Sequence, residues 1–293
     1  MKIFLRAFWW PDVHERINND SMLNSKITND DKYYDFDTDD DLFSHFLDVI
    51  NGSRGCRFSP HMKFTNAEIL QSKYYQLDCR GKIILESNKD YEFNAKELEL
   101  KSFISTDADV KIRFPDKLYL SKIDLNENVI GCATNWLREF ILPINVSDVF
   151  RKYKLIGFET RNIFNLRNKE AHEKYHQLYT DKLMPKAELD IASIKYINDI
   201  GGYSFRELGC LTYDMSKINN TSDFYRTAEN WSSNYCPIWI VSSSTKKCYD
   251  ENKLKGWNFR PVLDKGSELY ENYSDKWSTI INKVNHCYGC KIY

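Results

Sequence analysis

Residues 216–242 read SKINNTSDFYRTAENWSSNYCPIWIVS, and residues 121–147 read SKIDLNENVIGCATNWLREFILPINVS. The two stretches align without a gap at an offset of 95. Eight of 27 columns are identical: Ser121/Ser216, Lys122/Lys217, Ile123/Ile218, Ala133/Ala228, Asn135/Asn230, Trp136/Trp231, Val146/Val241 and Ser147/Ser242. The match resumes at an offset of 99, where Lys154-Leu155-Ile156-Gly157-Phe158 and Arg161 face Lys253-Leu254-Lys255-Gly256-Trp257 and Arg260. The four extra residues are close to one helical turn, so the longer copy keeps its apolar face oriented. So ordered a match marks an internal duplication.

Each copy reads as strand–helix–strand. Ile141–Val146 and Pro237–Val241 are short apolar runs suited to buried strands. Ser147 and Ser242 then stand where a helix N-cap belongs, and Gly157 and Gly256 where a helix ends at a residue with positive φ. The second strands are FETRNI and WNFRPV. The expected class is α+β (mixed α/β), with two related lobes. One spans 1–165 and holds repeat unit 116–163; the other spans 166–293 and holds unit 211–262. Outside the repeat, Met1–Trp10 reads as a first strand rather than a signal peptide, and 18–41 as a polar excursion. Leu42, Phe43, Phe46, Leu47 and Ile50 share one helix face, started by Asp39–Asp41 and stopped near Gly52. Alternation within 74–85 and 98–120 predicts antiparallel strands.

Composition narrows the function classes. The chain has 293 residues, 42% hydrophobic and 28% charged, enough to build a core without disulfides or metal. Its 41 Lys+Arg against 42 Asp+Glu give no general electrostatic reason to bind nucleic acid or an anionic membrane. No apolar run approaches a membrane span. Eight cysteines without a signal sequence predict reduced thiols and a cytoplasmic protein. No phosphate-binding glycine loop, nucleophile elbow or kinase signature is present.

Three constellations remain. His172-Glu173-Lys174-Tyr175-His176 matches H-E-x-x-H, in which two histidines one helical turn apart hold zinc and the glutamate activates its water. Against a zinc-dependent hydrolase stand the polar context RNKEAHEKYHQLYTDK, the cation Lys174 inside the motif, and no clear third ligand. The competing reading is an exposed helix or helix–strand edge. Cys287-Tyr288-Gly289-Cys290 follows His286 at zinc-knuckle spacing but has no second CxxC, so a frayed tail with two free thiols is expected. Residues 30–41 (DDKYYDFDTDDD) alternate acids like a calcium loop, but Asp40 stands where glycine is needed and Phe46 where glutamate is needed. The segment reads as a solvated loop starting a helix or, functionally, as an acidic aromatic surface for a basic partner. In that reading Tyr33, Tyr34, Asp35, Asp37, Asp39 and Asp40 make the contacts.

The recurring pattern of apolar strand, Val-Ser, helix and KLxG(F/W)xxRx(I/V) resembles bacterial immunity proteins of polymorphic toxin systems. It is most similar to the double-CXXCG motif immunity-type proteins, through Leu211–Asp214, Phe224–Glu229 and Arg260-Pro261-Val262. The likeness covers chiefly 205–263 and more faintly 116–163. It departs from the family in lacking both CxxC pairs: Cys210 stands alone before the LTYD segment, and Cys79-Arg80-Gly81 is at most a remnant. The resemblance implies a protein that neutralises a cognate toxin acting in the cytosol by binding it, without catalysis or cofactor. A structural or scaffolding role for the duplicated units is the other expectation.

Overall fold

The computed structural model describes residues 1–27, 33–53, 55–79, 83–84, 103–104, 111–112, 118–120, 123–133, 139–165, 167–188, 194–197, 203–206, 210–218, 221–228, 237–287 and 290–292. The chain begins with β1 (Lys2–Trp9), whose odd positions Ile3, Leu5 and Ala7 are fully buried while its even ones face outward. Helix α1 (Pro11–Asn19) starts at proline, which needs no N–H there, and α2 (Ser21–Asn24) is capped by the Asp20 carboxylate. The expected polar excursion instead contains a strand, β2 (Tyr33–Asp37); residues 30–32 lie outside the described residues. Helix α3 (Asp41–Ile50) forms as its apolar spacing predicts, with Asp40 accepting from the Leu42 N–H and Gly52 at φ +83° just beyond. Then come β3 (Cys56–Lys63), α4 (Asn66–Gln71) with a Thr65/Glu68 capping box, and β4 (Tyr74–Cys79).

Short strands β5 (Ile83–Ile84), β6 (Phe103–Ile104), β7 (Lys111–Ile112), β8 (Leu118–Leu120) and β9 (Gly131–Ala133) precede the strand–helix–strand core of the first repeat unit. Most of the expected strand region 98–120 lies outside the described residues. The strand–helix–strand core is β10 (Glu139–Pro143), α5 (Ile144–Lys152) and β11 (Glu159–Asn165), followed by β12 (Ala171–Tyr179). After β13 (Ile194–Ile197), β14 (Tyr203–Arg206), β15 (Thr212–Tyr213) and β16 (Phe224–Arg226), the second unit is β17 (Trp239–Ser242), α6 (Ser243–Glu251) and β18 (Trp257–Pro261). Strand β19 (Leu263–Asp264), α7 (Glu268–His286) and β20 (Cys290–Ile292) complete the α+β fold.

The two units are built alike. The first contributes the order β9-β10-β12-β11 and the second β16-β17-β4-β18. In each, the strands flanking the helix run parallel, with a third strand antiparallel to both inserted between them. The offset of 99 already governs the strand before each helix, so Phe140 matches Trp239 and Pro143 matches Ser242. Ser242 is therefore an N-cap, its hydroxyl accepting from the Thr245 N–H, whereas Ser147 lies inside α5 and is fully buried. Of the identical columns, Ser121, Lys122, Asn135, Trp136, Asn230 and Trp231 lie outside the described residues.

The helix ends also correct the glycine reading. The left-handed residues closing α5 and α6 are Lys154 (φ 57°) and Lys253 (φ 51°). In each, the next residue's N–H bonds five positions back (Leu155 to Phe150 at 3.1 Å, Leu254 to Tyr249 at 3.0 Å), a Schellman closure. Gly157 and Gly256 lie three residues later and serve close approach. A Cβ at Gly256 would collide with the Ile130 carbonyl, and one at Gly157 with the Ser222 side chain.

Those collisions mark where the units grip each other. Ile130 N–H donates to Lys255 O (2.8 Å) and Lys255 N–H to Asn128 O (2.9 Å). Reciprocally, Asp223 N–H donates to Ile156 O (2.9 Å), and Ile156 N–H to the Asp223 carboxylate (2.9 Å). Asn128 and Asp223 are 95 apart, and Ile156 and Lys255 are 99 apart, so the interface is the self-complementary kind formed by two copies about a twofold. Beneath it Phe140, Phe150, Phe224, Trp239 and Trp257 share one core, with Phe150 stacked 5.8 Å from Trp257.

The sheets do not follow a division at 165/166. Strand β4 is the middle of the second unit's sheet, β12 pairs with both β10 and β11, and β20 lies parallel against β3. A four-stranded N-terminal sheet, β2-β1-β3-β20, packs one face on α1, α3 and α7 through a separate core containing Phe36, Phe43, Phe46, Phe58 and Trp277. No described helix is long and apolar enough to cross a membrane.

Candidate functional site

Strict alternation in β1 and β3 gives the N-terminal sheet an open face. Opposite the buried Ile3, Leu5, Ala7 and Phe58, it presents Phe4, Arg6 and Phe8 from β1 and Arg57, Ser59 and His61 from β3. The register sets these side chains in rows: Tyr33–Phe8–Arg57, Asp35–Arg6–Ser59 and Asp37–Phe4–His61. Phe8, Trp10 and Tyr33 are 41%, 43% and 48% exposed, unusual for rings that a monomer has no need to leave in water.

Cations are seated on these rings. The Arg6 guanidinium lies 4.5 Å from the Tyr33 ring centre, Arg57 lies 5.0 Å from Trp10, and Lys63 lies 4.3 Å from Phe4. Phe4 also stacks on His61 at 5.4 Å. Arg6 holds Asp35 through two hydrogen bonds of 2.7 Å, which keep that carboxyl below the usual range. Burial pushes Asp37 upward, but the Lys2 hydrogen bond at 2.6 Å and the Asp39 amide outweigh it and leave the group lowered. Burial also lowers His61, helped by Arg6, Lys63 and Arg260 against the opposing pull of Asp35, so the ring is neutral at neutral pH.

Three of the six acidic-segment residues come together on this face: Tyr33, Asp35 and Asp37. Tyr34 points the other way and packs on Phe36 (4.8 Å), Asp39 pairs with Lys276 (2.7 Å), and Asp40 caps α3. Among the described residues of the segment, Asp35, Asp37 and Asp39 are each paired with a cation and Asp40 caps a helix.

The HEKYH segment is not a helix. It lies in β12, paired with β10 and β11. The preceding loop turns the chain back: Arg167 N–H bonds the Asn165 side chain (2.8 Å) and Lys169 adopts φ 62°, making a hairpin that the helix reading misses. Four strand residues separate His172 from His176 by about 13 Å, too far for one metal ion. Glu173 is exposed on a shallow 300 Å³ hollow beside this turn.

The C-terminal cysteines are not on a frayed tail. Cys287 caps α7, is 5% exposed and directs its thiol at Leu47 O (3.5 Å), while Cys290 opens β20 beside Cys56. Among the described residues, no group of three or more His, Cys, Asp or Glu side chains is arranged to hold a metal ion.

Sequence reasoning missed the rows of the open face, because only strand register brings Tyr33, Phe8 and Arg57 together; the alternation in KIFLRAFW was the available signal. It also missed a buried ionic cluster. Arg226 and Glu139, 0% and 1% exposed, pair at 2.8 Å; Gln177 donates to the other Glu139 oxygen at 2.9 Å, and the guanidinium lies 3.7 Å from the Trp239 ring centre. The cluster ties β10 of one unit to β16 of the other and reads as a device fixing their register. No family model matches this chain, and no curated protein matches it.

Proposed function

We propose that this protein is an immunity-type inhibitor, working in the cytoplasm without catalysis, that binds a toxin protein through the open face of its N-terminal sheet. The observation that carries the reading is the group of exposed rings Phe8, Trp10 and Tyr33, with Arg57 oriented over Trp10 and Arg6 over Tyr33. Rigid aromatic anchors beside arginine are the composition of binding hot spots. Such anchors need only a complementary surface, in keeping with the likeness to immunity proteins. Because Asp35, Asp37 and Asp39 are each paired with a cation of this chain, the face is not the free acidic surface that the run of aspartates suggests.

The test is a growth assay in which the neighbouring gene is expressed with and without this protein. Rescue from toxicity, together with a co-purifying complex, is expected; Trp10→Ala and Arg57→Glu should each abolish rescue while the circular dichroism spectrum is unchanged. A neighbour that is harmless and forms no complex would overturn the reading. Salt-sensitive binding of a single-stranded oligonucleotide, lost in the same variants, would assign the face to stacked bases instead.

A further inference from the structure

We infer that Cys287 and Cys290 form a reversible dithiol site that reacts with low-molecular-weight disulfides, with Cys56 as its neighbouring thiol. Cys290 N–H donates to Cys287 O at 3.2 Å, just beyond α7. A bond from one N–H to the carbonyl three positions earlier holds the two Cα atoms within about 7 Å, the range a disulfide requires. The side chains converge as well: the two sulfurs lie 2.9 Å apart, within about 1 Å of bonding separation. All three cysteines are free thiols.

The surroundings set the order of events. Cys287 is buried against α3, whereas Cys290 is half-buried at the start of an edge strand and is the thiol an oxidant reaches. The Cys290 thiolate attacks one sulfur of a small disulfide such as oxidised glutathione, forming a mixed disulfide and expelling one thiolate. The Cys287 thiol then loses its proton to solvent and attacks the Cys290 sulfur, expelling the second. The balance is two protein thiols and one small disulfide giving one protein disulfide and two small thiols. Hydrogen bonding to Cys287 favours the Cys290 thiolate, but the Cys56 contact and burial outweigh it and push that thiol up to about 12, so exchange is slow at neutral pH and accelerates with alkalinity. Closure would tie α7 to β20 and hold that strand on β3, adjoining the open face.

The test treats the full chain with oxidised glutathione, blocks remaining thiols with an alkylating agent, and reads tryptic peptides by mass spectrometry. Residues 284–291 form one tryptic peptide holding both cysteines. The expected product is that peptide unalkylated and lighter by two hydrogens, restored by reductant, and forming about tenfold faster per pH unit. In Cys287→Ser the reaction should stop with glutathione attached to Cys290. Double alkylation of the wild-type peptide, glutathione on both cysteines, or a cross-link to the peptide 55–57 that carries Cys56 would each overturn the assignment.

Discussion

Among the described residues Arg226 is a charged side chain with no exposure at all, and it pairs with the equally buried Glu139. Breaking such a pair leaves an uncompensated buried charge, so Arg226→Ala should cost about 3–5 kcal/mol. The double variant Glu139→Leu/Arg226→Met should recover most of that loss in urea melts; equal destabilisation by single and double variants would contradict the register role. His61 makes a pH prediction. Its folded pKa lies below the unfolded value near 6.5, so its contribution to stability is complete above that value and declines as pH falls through the folded pKa. Lowering the pH from about 7.5 to about 5.5 should move the urea midpoint down less in His61→Gln than in wild type. An identical slope in the variant would remove His61 from the account.

At the scale of elements, the helix ends carry the sharpest prediction. Lys154 and Lys253 hold left-handed backbone that glycine adopts at no steric cost, so Lys253→Gly should stabilise the chain by about 1 kcal/mol, read as a higher Tm. Gly256→Ala should destabilise by more than that, because its Cβ meets the Ile130 backbone, which has no side chain to swing aside. Elements of this kind were legible in sequence where two signals coincided. Helix α3 combines a one-sided apolar stripe with an aspartate cap, and the repeat units are visible because KLxG recurs. The HEKYH strand was not legible: residues four apart share a face in a strand as well as in a helix, and only the hairpin turn at Asn165–Glu170 separates the two. The shared Val-Ser pointed to the wrong alignment, since the N-cap is Pro143 for α5 and Ser242 for α6, and Val146-Ser147 lie inside α5.

For the whole molecule, the repeat told of two related units but not of how strands are shared between them. Strand β4 reaches the second unit's sheet from some 160 residues away, and no local pattern encodes that pairing. The open face was half legible. Aromatic and acidic residues at 33–40 drew attention, but the cations that neutralise Asp35 and Asp37 come from β1, and the rings exposed beside them are Phe8 and Trp10. The fold therefore places a mixed aromatic and cationic surface on one side of its N-terminal core.

The most direct test of that surface is titration calorimetry of the full chain against the product of the neighbouring gene, with wild type and Trp10→Ala compared at equal thermal stability. A hot-spot ring should cost about 2 kcal/mol, a loss of roughly 30-fold in affinity, and Arg57→Glu should weaken binding as well. Affinity unchanged in both variants would contradict the account, because the complex would then form without the open face.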